Sequence, residues 1–311
     1  MSEPNELIWI SPVLSQSETE TLFQWINFHL GQARLKTLSS FSQTRIDFIL
    51  EPKEALKLHF EVTPEGVKNA LELFKEAVWS EILAGSQPTP FVLSLQSKSQ
   101  LSTPKKLACF DMDSTLINEE VIDEIARNAG FYDQVSKITE AAMQGHLDFK
   151  ESLKERVKLF KGMPQAEVMA MIQALSLSAG AEKLLSRLRS KSIRTAVVSG
   201  GFQMILNHFQ KMLFLDHSYG NTLKVDDEER LVGEVEDPIV DASFKRAQVS
   251  ALKKKYSASL AETIAVGDGA NDIPMMSEAG VSVSFCGKPK LAAHVNTLIL
   301  DRNLLWLMHL I

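Results

Sequence analysis

The chain has 311 residues, 45% of them hydrophobic and 23% charged, which is ordinary for a packed globular protein and excludes disordered, collagenous and low-complexity classes. Lys and Arg number 33 against 39 Asp and Glu, a net charge of -6, which argues against a nucleic-acid partner because phosphate backbones call for a basic surface. Two cysteines suit neither a disulfide framework nor a zinc knuckle, no run reaches the roughly 18 apolar residues of a membrane helix, and the first residues lack a secretory pattern. A soluble, cytoplasmic protein with no nucleic-acid or membrane partner is expected.

Length alone suggests roughly two domains. In the first, Leu7–Ile10 reads as a strand, and Leu22, Trp25, Ile26 and Leu30 recur at helical spacing. Ile46, Phe48 and Leu50, then Leu58, Phe60 and Val62, read as strands. Pro64 opens a helix with Val67, Leu71, Phe74 and Val78 on one face, and Phe91, Leu93 and Leu95 close the set. This order predicts a small ferredoxin-like α+β sandwich over residues 1–100, which resembles ACT-type regulatory domains and would serve packing, regulation or a homodimer. Residues 96–106, rich in Ser, Gln, Lys and Pro, read as a linker.

Residues 105–311 read as a second domain, in which Leu107–Phe110, Ile193–Val198, Thr263–Val266, Val281–Phe285 and Thr297–Leu300 are short apolar runs suited to parallel strands covered on both faces. Helical patterns between most of them predict a doubly wound α/β sheet. About 80 residues separate the first two strands, far more than one crossover needs. The excess predicts a helical cap over about 118–185, with helices marked by Ile122, Ile125 and Ala129, by Phe149, Leu153 and Val157, and by Val168 and Ile172. A hairpin insertion is expected over about 217–236.

In an open parallel sheet, ligands bind beyond the carboxyl ends of the strands. The first strand is followed by Asp111-Met112-Asp113-Ser114-Thr115, the second by Ser199-Gly200-Gly201, and the third by Gly267-Asp268-Gly269-Ala270-Asn271-Asp272. Lys245 stands on a helix after the hairpin. Alone, an Asp-x-Asp caps a helix, Ser-Gly-Gly is a turn and a lysine is solvated; four carboxylates delivered to one crevice instead require a cation. Their oxygen-only chemistry points to Mg²⁺ rather than zinc. One carboxylate can serve as nucleophile and its neighbour as proton carrier. Ser199, the glycine amides and Lys245 offer donors and charge to a phosphoryl group. A small phosphate-bearing partner is expected.

These motifs resemble the four signature segments of the haloacid dehalogenase superfamily, and within it the phosphoserine phosphatase family. The finer likeness rests on Asp111–Gly130, Lys137–Met143, Leu147-Asp148-Phe149, Ser152–Val157, Val198–Phe202 and Ala265–Pro274. It spans residue 106 to about 300. The resemblance implies hydrolysis of phosphoserine, the last step of serine biosynthesis, with Asp111 as nucleophile and Asp113 as acid and base. It further implies magnesium on the Asp111 carboxylate, the Asp113 carbonyl and Asp268, with Asp272 nearby. Phosphate would lie on Ser199, the Gly200 amide and Lys245, and Asn271 would help orient substrate and lysine. Glu120 would meet the substrate ammonium and Arg156 its carboxylate, with Met143 and Phe149 as an apolar wall. Rival readings are a phosphotransferase to another alcohol such as homoserine, and a non-catalytic phospho-ligand sensor.

Overall fold

The computed structural model describes residues 92–311 throughout and, before them, 5–12, 24–25, 35–37, 42–47, 52–62 and 70–84. The strands are β1 (Asn5–Pro12), β2 (Leu35–Thr37), β3 (Ser42–Asp47), β4 (Pro52–Val62), β5 (Val92–Ser97), β6 (Leu107–Phe110), β7 (Arg194–Phe202), β8 (His217–Asn221), β9 (Leu223–Val225), β10 (Leu231–Val235), β11 (Thr263–Gly267), β12 (Val281–Phe285) and β13 (Thr297–Ile299). Every residue of β6, β11, β12 and β13 is buried, as continuous apolar runs between two helical layers must be. Strands β8, β7, β6, β11, β12 and β13 lie side by side in that order and run parallel. The predicted doubly wound sheet is therefore present.

The sheet continues past the expected linker. Strand β5 pairs antiparallel with β13, and beyond it β1, β4 and then β2 complete an 11-stranded sheet, with β3 also on β4. At the seam Ser94 Oγ and Thr297 Oγ1 lie 2.8 Å apart, both buried, and Gln96 Nε2 donates to Ser94 Oγ at 2.8 Å. Val78, Trp79 and Ile82 of the helix Ala70–Leu83 share one core cluster with Met275, Met276 and Leu298. Across residues 97–102 the structure has a strand end and a short helix, Lys98–Ser102, capped by Ser97. Buried Lys105 then donates to Gln100 O and, at 2.9 Å, to Ala261 O. Burial lowers the Lys105 pKa to about 8 against the opposing pull of Glu262.

Of the first hundred residues' expected elements, the helix around Leu22–Leu30 falls outside the described residues except at 24–25, which are helical. The strand expected at Ile46–Leu50 is described as Ser42–Asp47, and the helix expected from Pro64 is described from Ala70. Strand β2 was without a sequence signal: three residues carry no periodicity.

Between β6 and β7 stand the helices Val121–Ala129, Tyr132–Met143, Phe149–Lys158 and Gln165–Ala170. The third starts with a capping box in which Asp148 accepts from Glu151 N at 2.8 Å and Glu151 accepts from Asp148 N at 2.9 Å. The expected cap limit near 185 falls inside the helix Ala181–Ser190, which leads into β7. The expected hairpin over 217–236 divides: β9 and β10 pair with each other, whereas β8 joins the main sheet beside β7.

Candidate active site

Strand β6 stops at Phe110, and the backbone then makes a tight turn over Met112–Leu116 in which Ser114 takes a left-handed φ of 55°. Asp111 opens that turn, its Oδ1 accepting from Met112 N at 2.7 Å. Its Oδ2 lies 2.8 Å from Lys245 Nζ, and the same ammonium is 2.7 Å from Asp272 Oδ1. Lys245 sits in the first turn of the helix Ala242–Lys255, which Asp241 caps by accepting from Phe244 N at 2.8 Å. All three groups are buried. Burial works to lower the Lys245 pKa, but Asp111 and Asp272 override it and hold the ammonium above its usual range.

Beyond β11, Asp268 completes a buried triad: one carboxylate oxygen each from Asp111, Asp268 and Asp272 lies within 4.8 Å of the others. Burial first, then the Asp111 and Glu120 charges, raise Asp268 to about 6. Three crowded carboxylates with oxygen as the only donor fit a hard divalent ion, whose charge would relieve that repulsion. Asn271 is exposed, with Nδ2 3.5 Å from Asp111 Oδ2 and 3.4 Å from Asp272 Oδ1.

Asp113 meets a different environment. Its Oδ1 is shut off from solvent and has no hydrogen-bond partner among the described residues. Burial, then the charges of Glu120 and Asp111, push its carboxyl well above the usual range against the pull of Lys245. Ser199 is buried and its Oγ accepts from Gly201 N at 2.9 Å. A Cβ on Gly201 would lie 3.1 Å from both Asp113 Oδ2 and Ser199 Oγ, so glycine makes room for both.

These groups face a cavity of about 240 Å³ between sheet and cap. Glu120, at its mouth, accepts from Ser114 Oγ at 3.2 Å; crowding by protein atoms, then Asp111, raises its pKa. Arg156 is half-buried and lines the cavity, its Nε donating to Ser152 O at 3.2 Å. Burial draws its pKa down, against Asp123, Glu120 and Asp113. Phe149 also lines it, with its ring over Gly200, where a Cβ would come within 2.9 Å of Phe149 Cζ. The structure thus brings together Asp111, Asp113, Glu120, Phe149, Arg156, Ser199, Gly200, Asp268 and Asn271 around one cavity, with Lys245 and Asp272 directly behind. It does not bring Met143, which ends its helix 78% exposed and is not among the lining residues.

Lys288 lines the cavity too, and its main-chain N donates to Asp268 O at 2.9 Å. Its one sequence signal is its place just beyond β12, with Cys286 and Gly287 between, at the same end of the sheet as the other motifs. Asn221, buried at the end of β8, was missed because its segment read as hairpin.

A parallel sheet with carboxylates, a lysine and a serine loop at its strand ends defines a phosphoryl-handling hydrolase. A family profile for haloacid dehalogenase-like hydrolases matches residues 105–280. A phosphoserine phosphatase of Methanocaldococcus jannaschii is 42% identical over 200 residues, covering 64% of this chain and 94% of that protein. A solved haloacid dehalogenase family hydrolase of Salmonella enterica serovar Typhi aligns over 99% of this chain and 98% of its own, with 27% identity and a TM-score of 0.80. Another, a phospho-aspartyl intermediate analogue of phosphoserine phosphatase, aligns over 66% of this chain and 98% of its own, with 41% identity and a TM-score of 0.62. The chain belongs to the phosphoserine phosphatase family of the haloacid dehalogenase-like hydrolases. Among the described residues no helix is long and apolar enough to cross a membrane.

Proposed function

We propose that this enzyme hydrolyses O-phosphoserine to serine and phosphate with the aid of Mg²⁺. The observation that carries the reading is a pair of carboxyls two residues apart in different surroundings. Asp111 is ion-paired to Lys245 at 2.8 Å, whereas Asp113 has a dry, partnerless oxygen and a raised pKa. An ionised carboxylate is a nucleophile and a protonated one is an acid.

Asp111 attacks phosphorus and forms an aspartyl-phosphate as the bond to the serine oxygen breaks, while Asp113 passes its proton to that oxygen. Asp113 then takes a proton from water, whose oxygen attacks phosphorus and returns the Asp111 carboxylate and free phosphate. Ser199, the Gly200 amide and Lys245 bind the phosphoryl oxygens and stabilise their charge, and Asn271 helps to orient substrate and lysine. Magnesium would be held by the Asp111 and Asp268 carboxylates and the Asp113 carbonyl, with Asp272 nearby, and supplies charge that polarises a phosphoryl oxygen. Glu120 takes the substrate ammonium, Arg156 its carboxylate, and Phe149 the methylene. The family likeness also assigns Met143 to this wall, although its side chain stands exposed at the end of the helix Tyr132–Met143. The small cavity favours a small ester. The phospho-aspartyl analogue described for the solved relative supports the covalent step.

Residues 1–100 are read as a ferredoxin-like, ACT-like module joined to a capped catalytic domain over 105–311; its strand order β5-β1-β4-β2, antiparallel throughout, supports this.

The test is phosphate release from phosphoserine, phosphothreonine, phosphoethanolamine and sugar phosphates, with magnesium and with EDTA. Phosphoserine turns over fastest, and chelation abolishes release until magnesium is restored. No release above buffer from any of them would leave the site a binding site only.

A further inference from the structure

Asn221 is 1% exposed and bridges two separate parts of the site. Its Nδ2 donates to Gly200 O at 2.7 Å, and its Oδ1 accepts from Val240 N at 2.8 Å. The backbone N–H of Val240 fixes which end of the amide is oxygen, so the other end is the donor. Gly200 C=O and Gly201 N–H belong to one rigid peptide unit, so holding the first aims the second. That N–H donates to Ser199 Oγ at 2.9 Å, occupying the oxygen as an acceptor. Among the described residues no acceptor takes the Ser199 hydroxyl proton. Val240, at the other end, directly precedes Asp241, the cap of the helix that carries Lys245.

We infer that Asn221 is a positioning residue for phosphate: it orients the Gly200–Gly201 peptide so that Ser199 presents its hydroxyl as a donor, and fixes the spacing between that donor and the helix of Lys245. The inference rests on the reading of Ser199 and Lys245 as the phosphate grip. It differs from a packing role because the consequence falls on anion affinity. Asn221→Asp keeps size and the acceptor for Val240 N–H, but sets a carboxylate oxygen against Gly200 O.

The measurement is competitive inhibition by inorganic phosphate of aryl phosphate hydrolysis, in wild type, Asn221→Asp, Ser199→Ala and the double variant, at a temperature where all four are folded by circular dichroism. Asn221→Asp is expected to weaken phosphate about 10- to 100-fold, with a matching rise in KM. Added to Ser199→Ala it costs less than about 3-fold more, because both changes disable one device. An unchanged inhibition constant, or a full second loss in the Ser199→Ala background, overturns the inference. Asn221→Ala, free of the new charge, is read in the same way should Asn221→Asp fail to fold. Wild-type protein that binds phosphate and cleaves aryl phosphate but spares phosphoserine overturns the substrate reading alone.

Discussion

Asp111 and Asp113 share a side-chain type and stand two residues apart at one turn, yet the fold gives them different surroundings. Asp111→Asn keeps the shape and removes the nucleophile, so turnover falls at least about 1000-fold and no phosphoenzyme is trapped; near-normal turnover would end the covalent scheme. Gly201→Ala puts a methyl 3.1 Å from Asp113 Oδ2 and Ser199 Oγ, tight against both working groups. Its kcat is expected to fall about 10-fold with little change in melting temperature, and a loss confined to melting temperature would make the glycine structural. Arg156→Ala removes a half-buried cation facing the cavity. Phosphoserine kcat/KM should drop by about 2 kcal/mol, roughly 30-fold, while hydrolysis of an aryl phosphate barely changes; equal losses on both would assign the arginine to structure.

Elements carry these side chains to one place by a simple rule: the site collects what lies at or just beyond the carboxyl ends of β6, β7, β11 and β12, with residues 199–201 lying within the end of β7 itself. That rule made most of the cavity legible in the sequence, since Asp111, Ser199 and Asp268 each follow an apolar run. It left Asn221 hidden, because β8 has an edge strand's weak pattern, half-buried at four of its five residues. Met143 was named from likeness of sequence alone, and likeness cannot say how far a helix end stands from a cavity. The seam between β5 and β13 was equally hidden, for strand partners of distant sequence leave no local trace. Lys105 clamps that seam's short helix to the loop at Ala261. Its folded pKa of about 8 lies below the ordinary lysine value of 10.5, so this group adds to stability as pH rises from 8 towards 10.5. In denaturant titrations the advantage of wild type over Lys105→Met should widen between pH 7 and pH 10; a constant gap would refute the shift.

At the scale of the molecule, one sheet runs from β2 to β8 and the helix Ala70–Leu83 shares a core with the catalytic part. A chain beginning at residue 105 therefore exposes the edge of β13 and the apolar faces of Met276 and Leu298. Its melting temperature is expected to fall by roughly 10 °C, with aggregation in size-exclusion runs; an unchanged melting curve would mean that the amino-terminal part contributes nothing to stability. Synthesis on the ribosome meets the same geometry in time. Ser94 is made early, but its partner Thr297 lies 203 residues further along, so the seam cannot close until the last stretch of polypeptide has emerged. During that interval β5 waits with one side unpaired, and the slowest step of acquiring the native topology is expected to be this late docking rather than assembly of the catalytic crevice.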